Sequence, residues 1–333
     1  MKKINLAVVG ATGMVGGSFL KVLSEKNLPI ENLYLFASER SEGKVLECMG
    51  RHIVVEKLSE ENIKNKKIDF ALFSAGGARS EEFAPIFAEC GATVIDNSSF
   101  WRMDKNVPLV VPQVNPEDAF LNNGIIANPN CSTIGVMAPL KALDMLFDLI
   151  GVDYVTFQAV SGSGMKGVLD LERTTRGENP QFYPYPIFNN CIPQIDSFVE
   201  NGFTKEEMKM VNESKKILGK PDLKVSATCV RVPVANSHSI SVSATFEKEV
   251  EISKAKEALK KFPSIVLLDE PENSIYPVAT IATGTDEIYV GRVRVDPNDP
   301  RRLHFFTVSD NIRKGAASNA IEILELLLKR KKR

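Results

Sequence analysis

A cysteine that opens a helix has different chemistry from one buried in a sheet, and Cys131 is in the first situation. In Asn128-Pro-Asn-Cys131-Ser-Thr-Ile-Gly the thiol follows the apolar run Gly124 to Ala127 and precedes Ile134 to Leu149, which reads as a helix. The free N–H groups and dipole at a helix N-terminus favour thiolate, and they can also hold an oxyanion on a substrate. This is a setting for nucleophilic attack on a carbonyl. The other cysteines (Cys48, Cys90, Cys191, Cys229) lack such flanks and read as structural. Five scattered thiols with no Cys-x-x-Cys pair fit a reducing cytoplasm, with neither a disulfide framework nor a metal site.

A second chemical signal sits at the start of the chain. Gly10-Ala-Thr-Gly13-Met-Val-Gly16 follows the apolar run Ile4 to Val9 and precedes the helical pattern Ser18 to Ser24. In that context Gly10, Thr12, Gly13, Met14 and Val15 can approach a pyrophosphate at the helix end, although the form is G-x-x-G-x-x-G. A tight turn without a ligand is the alternative. After the second strand stand Ser38, Glu39, Arg40 and Ser41. Arg40 can grip a 2′-phosphate with two prongs while both hydroxyls donate to it, which favours NADP, whereas Glu39 opposes it; Arg40 as a plain surface cation is the competing reading. A small-residue loop, Ser74-Ala-Gly-Gly77, allows another close backbone approach.

These groups need a frame, and 333 residues with 44% hydrophobic content supply about two domains of core. The 41 basic and 42 acidic side chains leave a net charge of -1, which disfavours a nucleic-acid or membrane-surface partner. Lys2 and Lys3 before Ile4 to Val9 imitate a signal peptide, but the glycines interrupt it, and no apolar stretch is long enough to span a membrane. Short apolar runs (Ile4–Val9, Leu33–Phe36, Asp69–Phe73, Thr93–Asp96, Leu109–Val111, Gly124–Ala127) alternate with helical stretches, predicting an α/β, doubly wound, Rossmann-like first half. Longer alternating runs follow: Lys224–Val232, Ser239–Phe246, Glu287–Val295 and Arg302–Ser309. They predict an α+β second domain on a mixed, largely antiparallel sheet with one covered face. Helices are expected over Lys205–Leu218, with Met208, Val211, Ser214 and Leu218 inward, and over Ala316–Leu328, with Ile321, Ile323, Leu324 and Leu327 inward. Asn179 to Pro193 holds four prolines and reads as a surface excursion or interface arm, and Lys329 to Arg333 as a solvated tail.

Taken in order, the motifs resemble the aspartate-semialdehyde dehydrogenase family nearly end to end. The likeness rests on GATGMVG at 10–16, ASERS at 37–41, SAGG at 74–77, NPNCST at 128–133, FQAVSGSGMKG at 157–167, EEMK at 206–209, RVPVANSH at 231–238 and DNIRKGAA at 310–317. It implies NADPH-dependent reductive dephosphorylation of L-aspartyl 4-phosphate through a thioester on Cys131, at the branch toward lysine, methionine and threonine. His238 is implied as acid and base, its ordinary pKa lying close to neutral, and Gln158 as the amide orienting the acyl group. Arg231 matches the α-carboxylate grip, Glu206 the ammonium partner, Arg102 and Lys209 the phosphate positions, and Asn130 the residue before the nucleophile. Ser161, Gly162 and Asn311 are implied beside the nicotinamide, with Ser38, Arg40, Ser41 and Ser74 on the rest of the cofactor. The resemblance also implies an NADP-binding domain at 1–128 plus 316–333, a catalytic and dimerisation domain at 129–315, and a cytoplasmic homodimer or dimer of dimers.

Blander readings stand beside these. Glu206 and Lys209, three apart, fit a surface salt bridge; Gln158 fits an exposed strand residue; His52 and His304 fit satisfied structural histidines. Glu39, and Phe100-Trp101 before Arg102, depart from the family pattern. The rival activities are N-acetyl-glutamyl-phosphate reduction, in which Glu206 would have no ammonium to meet, and a catalytically silent NADP-binding scaffold.

Overall fold

The computed structural model describes residues 3–330, so Lys2 and the last three residues of the basic end lie outside it. Two compact units divide the chain, Met1–Asn130 with Ala316–Arg333, and Cys131–Gly315. In the first, β1 (Ile4–Val9), β2 (Ile30–Ala37), β5 (Phe70–Phe73), β6 (Thr93–Asp96) and β7 (Ile125–Ala127) form a parallel sheet. The hairpin β3 (Val45–Cys48) and β4 (Arg51–Lys57) extends it, giving the order β3-β4-β2-β1-β5-β6-β7. Helices α1 (Met14–Glu25) and α3 (Gly77–Glu89) make the crossovers, with a short α2 (Glu60–Lys64) before β5. Leu6 to Val9 are wholly buried, as befits a strand covered on both faces. Because β2 and β5 flank β1, the order reverses at its carboxyl end, where such sheets bind ligands.

The doubly wound expectation holds, with two local corrections. The β3–β4 hairpin went unread because its strands are mostly polar or exposed. Its turn, Met49-Gly50, takes positive φ at both residues, a conformation that Asn-Gly would have advertised. Leu109–Val111 is not a strand; only Leu109 bridges to Ala127. Near the chain end, a π-helical turn over Arg313–Ser318 precedes α9 (Asn319–Arg330), in which Ile321, Ile323 and Leu324 are wholly buried.

The second unit carries a six-stranded sheet built from β8 (Leu149–Gln158), β9 (Lys224–Arg231), β10 (His238–Phe246), β11 (Ile265–Leu267), β12 (Ile288–Val295) and β13 (Arg302–Ser309). The order is β11-β12-β13-β10-β8-β9; the two outermost pairs are parallel and the inner ones antiparallel. Burial alternates along the strands. In β10, His238, Ile240, Val242, Ala244 and Phe246 face inward beneath α4 (Cys131–Phe147), while on β8 the opposite face shows Asp153 and Val155 to solvent. The face under α4 also carries α6 (Lys205–Leu218) and α7 (Ile252–Lys261); the unit further contains α5 (Met165–Thr175) and α8 (Ala279–Ala282). Helix α4 stops at Phe147, two residues short of expectation, because Asp148 takes φ 61.

Helix α6 spans the predicted residues, and Ser214 and Leu218 are buried as expected, but Met208 and Val211 are only half-buried while Glu206, Glu207, Met210 and Glu213 are buried. Glu206 and Glu207 go inside because each finds donors. Thr204 and Glu207 form a capping box, and the Glu207 carboxylate also accepts the Cys229 N–H at 3.0 Å. Asn179 to Pro193 forms no helix or strand, and only Ile192 pairs with the sheet, at Arg231. Among the described residues no helix is long and apolar enough to cross a membrane.

Candidate active site

The period-two alternation of the second sheet decides which side chains meet. Gln158 ends β8 opposite Arg231, which ends β9, and His238 opens β10 opposite Ser309. All four lie buried at one end of the sheet. From α6, Glu206 reaches this cluster; its carboxylate accepts the Gln158 amide at 3.1 Å and pairs with the Lys209 ammonium at 3.0 Å. Neither the surface salt bridge nor the exposed strand residue describes this, since Glu206 is 5% exposed and Gln158 1%. Lys209 is also held by Asp196 at 3.1 Å. Burial works against its charge, but the two carboxylates outweigh burial and hold the ammonium above the ordinary lysine value.

Cys131 is the first residue of α4 and half-buried. One turn on, a Cβ on Gly135 would come within 2.8 Å of Ser309 Oγ, so the helix start lies against the strand partner of His238. Gly315 also crowds Cys131: a Cβ there would stand 2.7 Å from that of Cys131. Asn130, just before it, is buried. Gly162 packs against the Arg231 guanidinium and the His238 ring, its hypothetical Cβ falling 2.9 Å from Arg231 Nη1 and 3.1 Å from His238 Cε1. Ser161 hydrogen-bonds Asn236 at 2.8 Å and Asn311, whose side-chain oxygen also accepts the Ser237 N–H at 2.9 Å. The His238 competitors differ: His304 pairs with Asp296 at 2.7 Å, and His52 is exposed on the β3–β4 hairpin.

The state of His238 departs from the neutral-range expectation. Burial, and then the Arg231 guanidinium, push its pKa down to about 3, against an opposing pull from Glu206. Its Nδ1 accepts the Ala159 N–H at 3.1 Å, which assigns the proton of the neutral ring to Nε2. That Nε2 is buried with no protein partner. The Arg231 guanidinium donates from Nη1 to the Ala159 carbonyl at 2.6 Å and leaves Nε without a partner. Two unsatisfied buried donors in one cluster are the mark of a site built for an oxygen-rich ligand.

In the first unit, the glycine turn, the end of β2 and the loop after β5 line one cleft of about 930 Å³. It brings together Gly10, Thr12, Gly13, Ser38, Arg40 and Ser74. Met14 and Val15 form the first turn of α1 behind Gly13, and Ser41 hydrogen-bonds Thr12 at 3.2 Å. Gly10, at φ 83, abuts the Ser74 carbonyl so closely that any side chain would collide with it. A dinucleotide fits these walls: there is room, and the start of α1 behind Gly13 opens onto it. Glu39 pairs with Lys57 at 3.0 Å, whereas Arg40 is exposed and has no ion pair among the described residues. Arg102 is buried, donating to the Asn128 and Asn97 carbonyls at 3.0 Å each, so part of its fork holds the backbone.

Two functional neighbours escaped the sequence reading. Asp196 lies in a loop at φ 68 with no local signature. Asp310 precedes Asn311 in the DNIRKGAA motif. Its carboxylate accepts N–H groups of Ile312, Arg313 and Gly284 and the Asn236 amide, all at 2.8–2.9 Å. An acid just before a helical turn is a capping signal that could have identified it. No group of three or more metal-ligating side chains occurs among the described residues.

Residues 5–121 match the family described as semialdehyde dehydrogenase, NAD binding domain, and residues 139–314 match semialdehyde dehydrogenase, dimerisation domain. An aspartate-semialdehyde dehydrogenase of Aquifex aeolicus is 52% identical, covering 97% of this chain and 98% of its own. One from Bacillus subtilis is 43% identical, covering 98% of each. Among solved structures, aspartate semialdehyde dehydrogenase II of Vibrio cholerae, complexed with ASA, superposes with a TM-score of 0.94 at 40% identity and 99% coverage of both chains. The Candida albicans enzyme with NADP gives 0.79 at 27% identity, also covering 99% of both.

Proposed function

The chain belongs to the aspartate-semialdehyde dehydrogenase family, and from that premise we propose that it converts L-aspartyl 4-phosphate to L-aspartate 4-semialdehyde and phosphate with NADPH, through a thioester on Cys131. The observation that carries this reading is the buried Glu206 carboxylate, joined to Gln158 and Lys209 beside Arg231. An α-amino acid needs an anion for its ammonium and a fork for its carboxylate, whereas an N-acetylated substrate brings no ammonium to Glu206. The pathway is the one leading toward lysine, methionine and threonine, in the cytoplasm.

Cys131 attacks the acyl carbon as thiolate, favoured by the start of α4, and phosphate leaves. NADPH, when bound, supplies a hydride to the thioester carbon; the C–S bond then breaks, releasing the aldehyde and returning the Cys131 thiolate. His238 presents Nε2–H to the acyl oxygen and stabilises the negative charge that develops there. Gln158 orients the acyl group, Arg231 holds the α-carboxylate, Glu206 the ammonium, and Lys209 moves from Asp196 to a phosphoryl oxygen. In the first unit, Gly10 to Val15 and Ser74 hold the pyrophosphate side of the cofactor. Arg40, with Ser38 and Ser41, binds the 2′-phosphate, a reading supported by the pairing of Glu39 with Lys57. Two copies associate through the second unit into a homodimer.

The test is NADPH formation by the purified protein from aspartate semialdehyde, NADP and phosphate, compared with N-acetyl-glutamate semialdehyde. Phosphate-dependent turnover of the first alone is expected; comparable turnover of the acetylated aldehyde would overturn the assignment.

A further inference from the structure

The proline-rich stretch from Asn179 to Pro193 lacks regular structure, yet it is tied down along its length. The carboxylate of Asp170, wholly buried on α5, accepts three successive backbone N–H groups, those of Gln181, Phe182 and Tyr183, at 2.8–2.9 Å. Further on, Thr174 Oγ1 accepts the Phe188 N–H at 3.1 Å. Ile187 and Ile192 then close a small apolar cluster with Val160. The ordering of so many loop residues costs conformational entropy, which random surface packing does not offset.

Both ends of this strap reach the residue assigned to the substrate carboxylate. At one end, the Tyr183 hydroxyl donates to Ser163 Oγ at 3.1 Å. Ser163 closes the short loop whose Gly162 lies against Arg231 and His238, and whose Ala159 carbonyl receives Arg231 Nη1. At the other, Ile192 exchanges two backbone hydrogen bonds with Arg231, at 2.8 and 2.9 Å. Burial raises the Tyr183 pKa while the Arg231 guanidinium pulls it down, which fits their proximity and keeps the hydroxyl a donor. A guanidinium fork binds a carboxylate well only when its orientation is fixed beforehand.

We propose that Tyr183 and Ser163 are positioning residues: with the strap anchored on Asp170, their hydrogen bond sets the 159–163 loop against Arg231 and so determines affinity for the substrate α-carboxylate. This rests on the functional reading above. Neither side chain need touch the substrate. The hydroxyl pair also fills a tight corner, since a Cβ on Gly167 would approach the Tyr183 oxygen to 2.6 Å.

The experiment compares Tyr183→Phe, Ser163→Ala and the double variant of the full chain, with aspartate semialdehyde, NADP and phosphate varied in turn. Each single change should raise KM for the semialdehyde about three- to tenfold, with kcat within about twofold. KM for NADP and phosphate should stay put, and the double variant should be no worse than the worse single one, because one bond is lost in all three. Unchanged semialdehyde KM in the singles, multiplying effects in the double, or a loss of kcat alone would overturn the proposal. A wild-type protein inert toward the semialdehyde would instead sink the functional reading on which it stands.

Discussion

At the residue scale, the site owes its character to neutral and charged groups kept apart by geometry. His238 is buried beside a guanidinium and receives an N–H on Nδ1, so it rests as a neutral ring with its proton on Nε2. A ring held in this way acts first as a hydrogen-bond donor. By NMR, its Cε1 resonance, assigned through His238→Gln, should not titrate between about pH 5 and 8, because the folded pKa lies far below its usual range. A midpoint near 6.5 would contradict the burial argument. The same depression makes the unfolded chain the better proton binder between 6.5 and about 3. Stability therefore falls as pH drops through that window, and His238→Gln should flatten the fall. The residue types at 131, 158, 206, 231 and 238 were legible in the sequence. The tautomer was not, because it depends on a backbone N–H from a loop 79 residues away in the chain.

Elements were legible where period and burial agree. Strands β1, β6 and β13 match the runs read from apolar pattern, since each has a covered face that demands one register. The hairpin β3–β4 covers only Leu46, Cys48, Ile53 and Val55 between charged or exposed residues, and its Met49-Gly50 turn lacks the usual residue signal. Helix α6 shows a different failure. Its apolar stripe was assigned by spacing, but hydrogen bonds turned Glu206 and Glu207 inward. Its start is held by Thr204, whose hydroxyl accepts the Glu207 N–H at 3.3 Å while the carboxylate returns to the Thr204 N–H at 2.6 Å. Replacing Thr204 by Ala should lower unfolding free energy by about 1 kcal/mol in denaturant titrations. It should also weaken semialdehyde binding, because Glu206 and Lys209 sit in the next turn. Wild-type stability in that variant would show that the cap contributes nothing.

On the scale of the whole molecule, the division into two units follows from two different sheets. One is parallel except for its hairpin and covered by crossover helices; the other is mixed and has one helix-covered face. The opposite face of the second sheet shows Val155 39% exposed, with Phe157 and Phe306 in ring contact at 6.3 Å. The family model that matches this unit is described as a dimerisation domain, and a two-fold copy against this face would set the same residues on both sides. Sedimentation equilibrium should find a dimer, and Val155→Glu should shift it toward monomer by burying a charge in the contact. A wild-type monomer at micromolar concentration, or a variant that dimerises equally well, would rule out this face.

Mass spectrometry of protein mixed with aspartate semialdehyde and NADP without phosphate decides whether Cys131 carries the acyl group. A stoichiometric burst of NADPH is expected, with an aspartyl adduct on the Cys131 peptide that added phosphate then releases. An adduct on another residue, or steady turnover in Cys131→Ala, would contradict this role of Cys131.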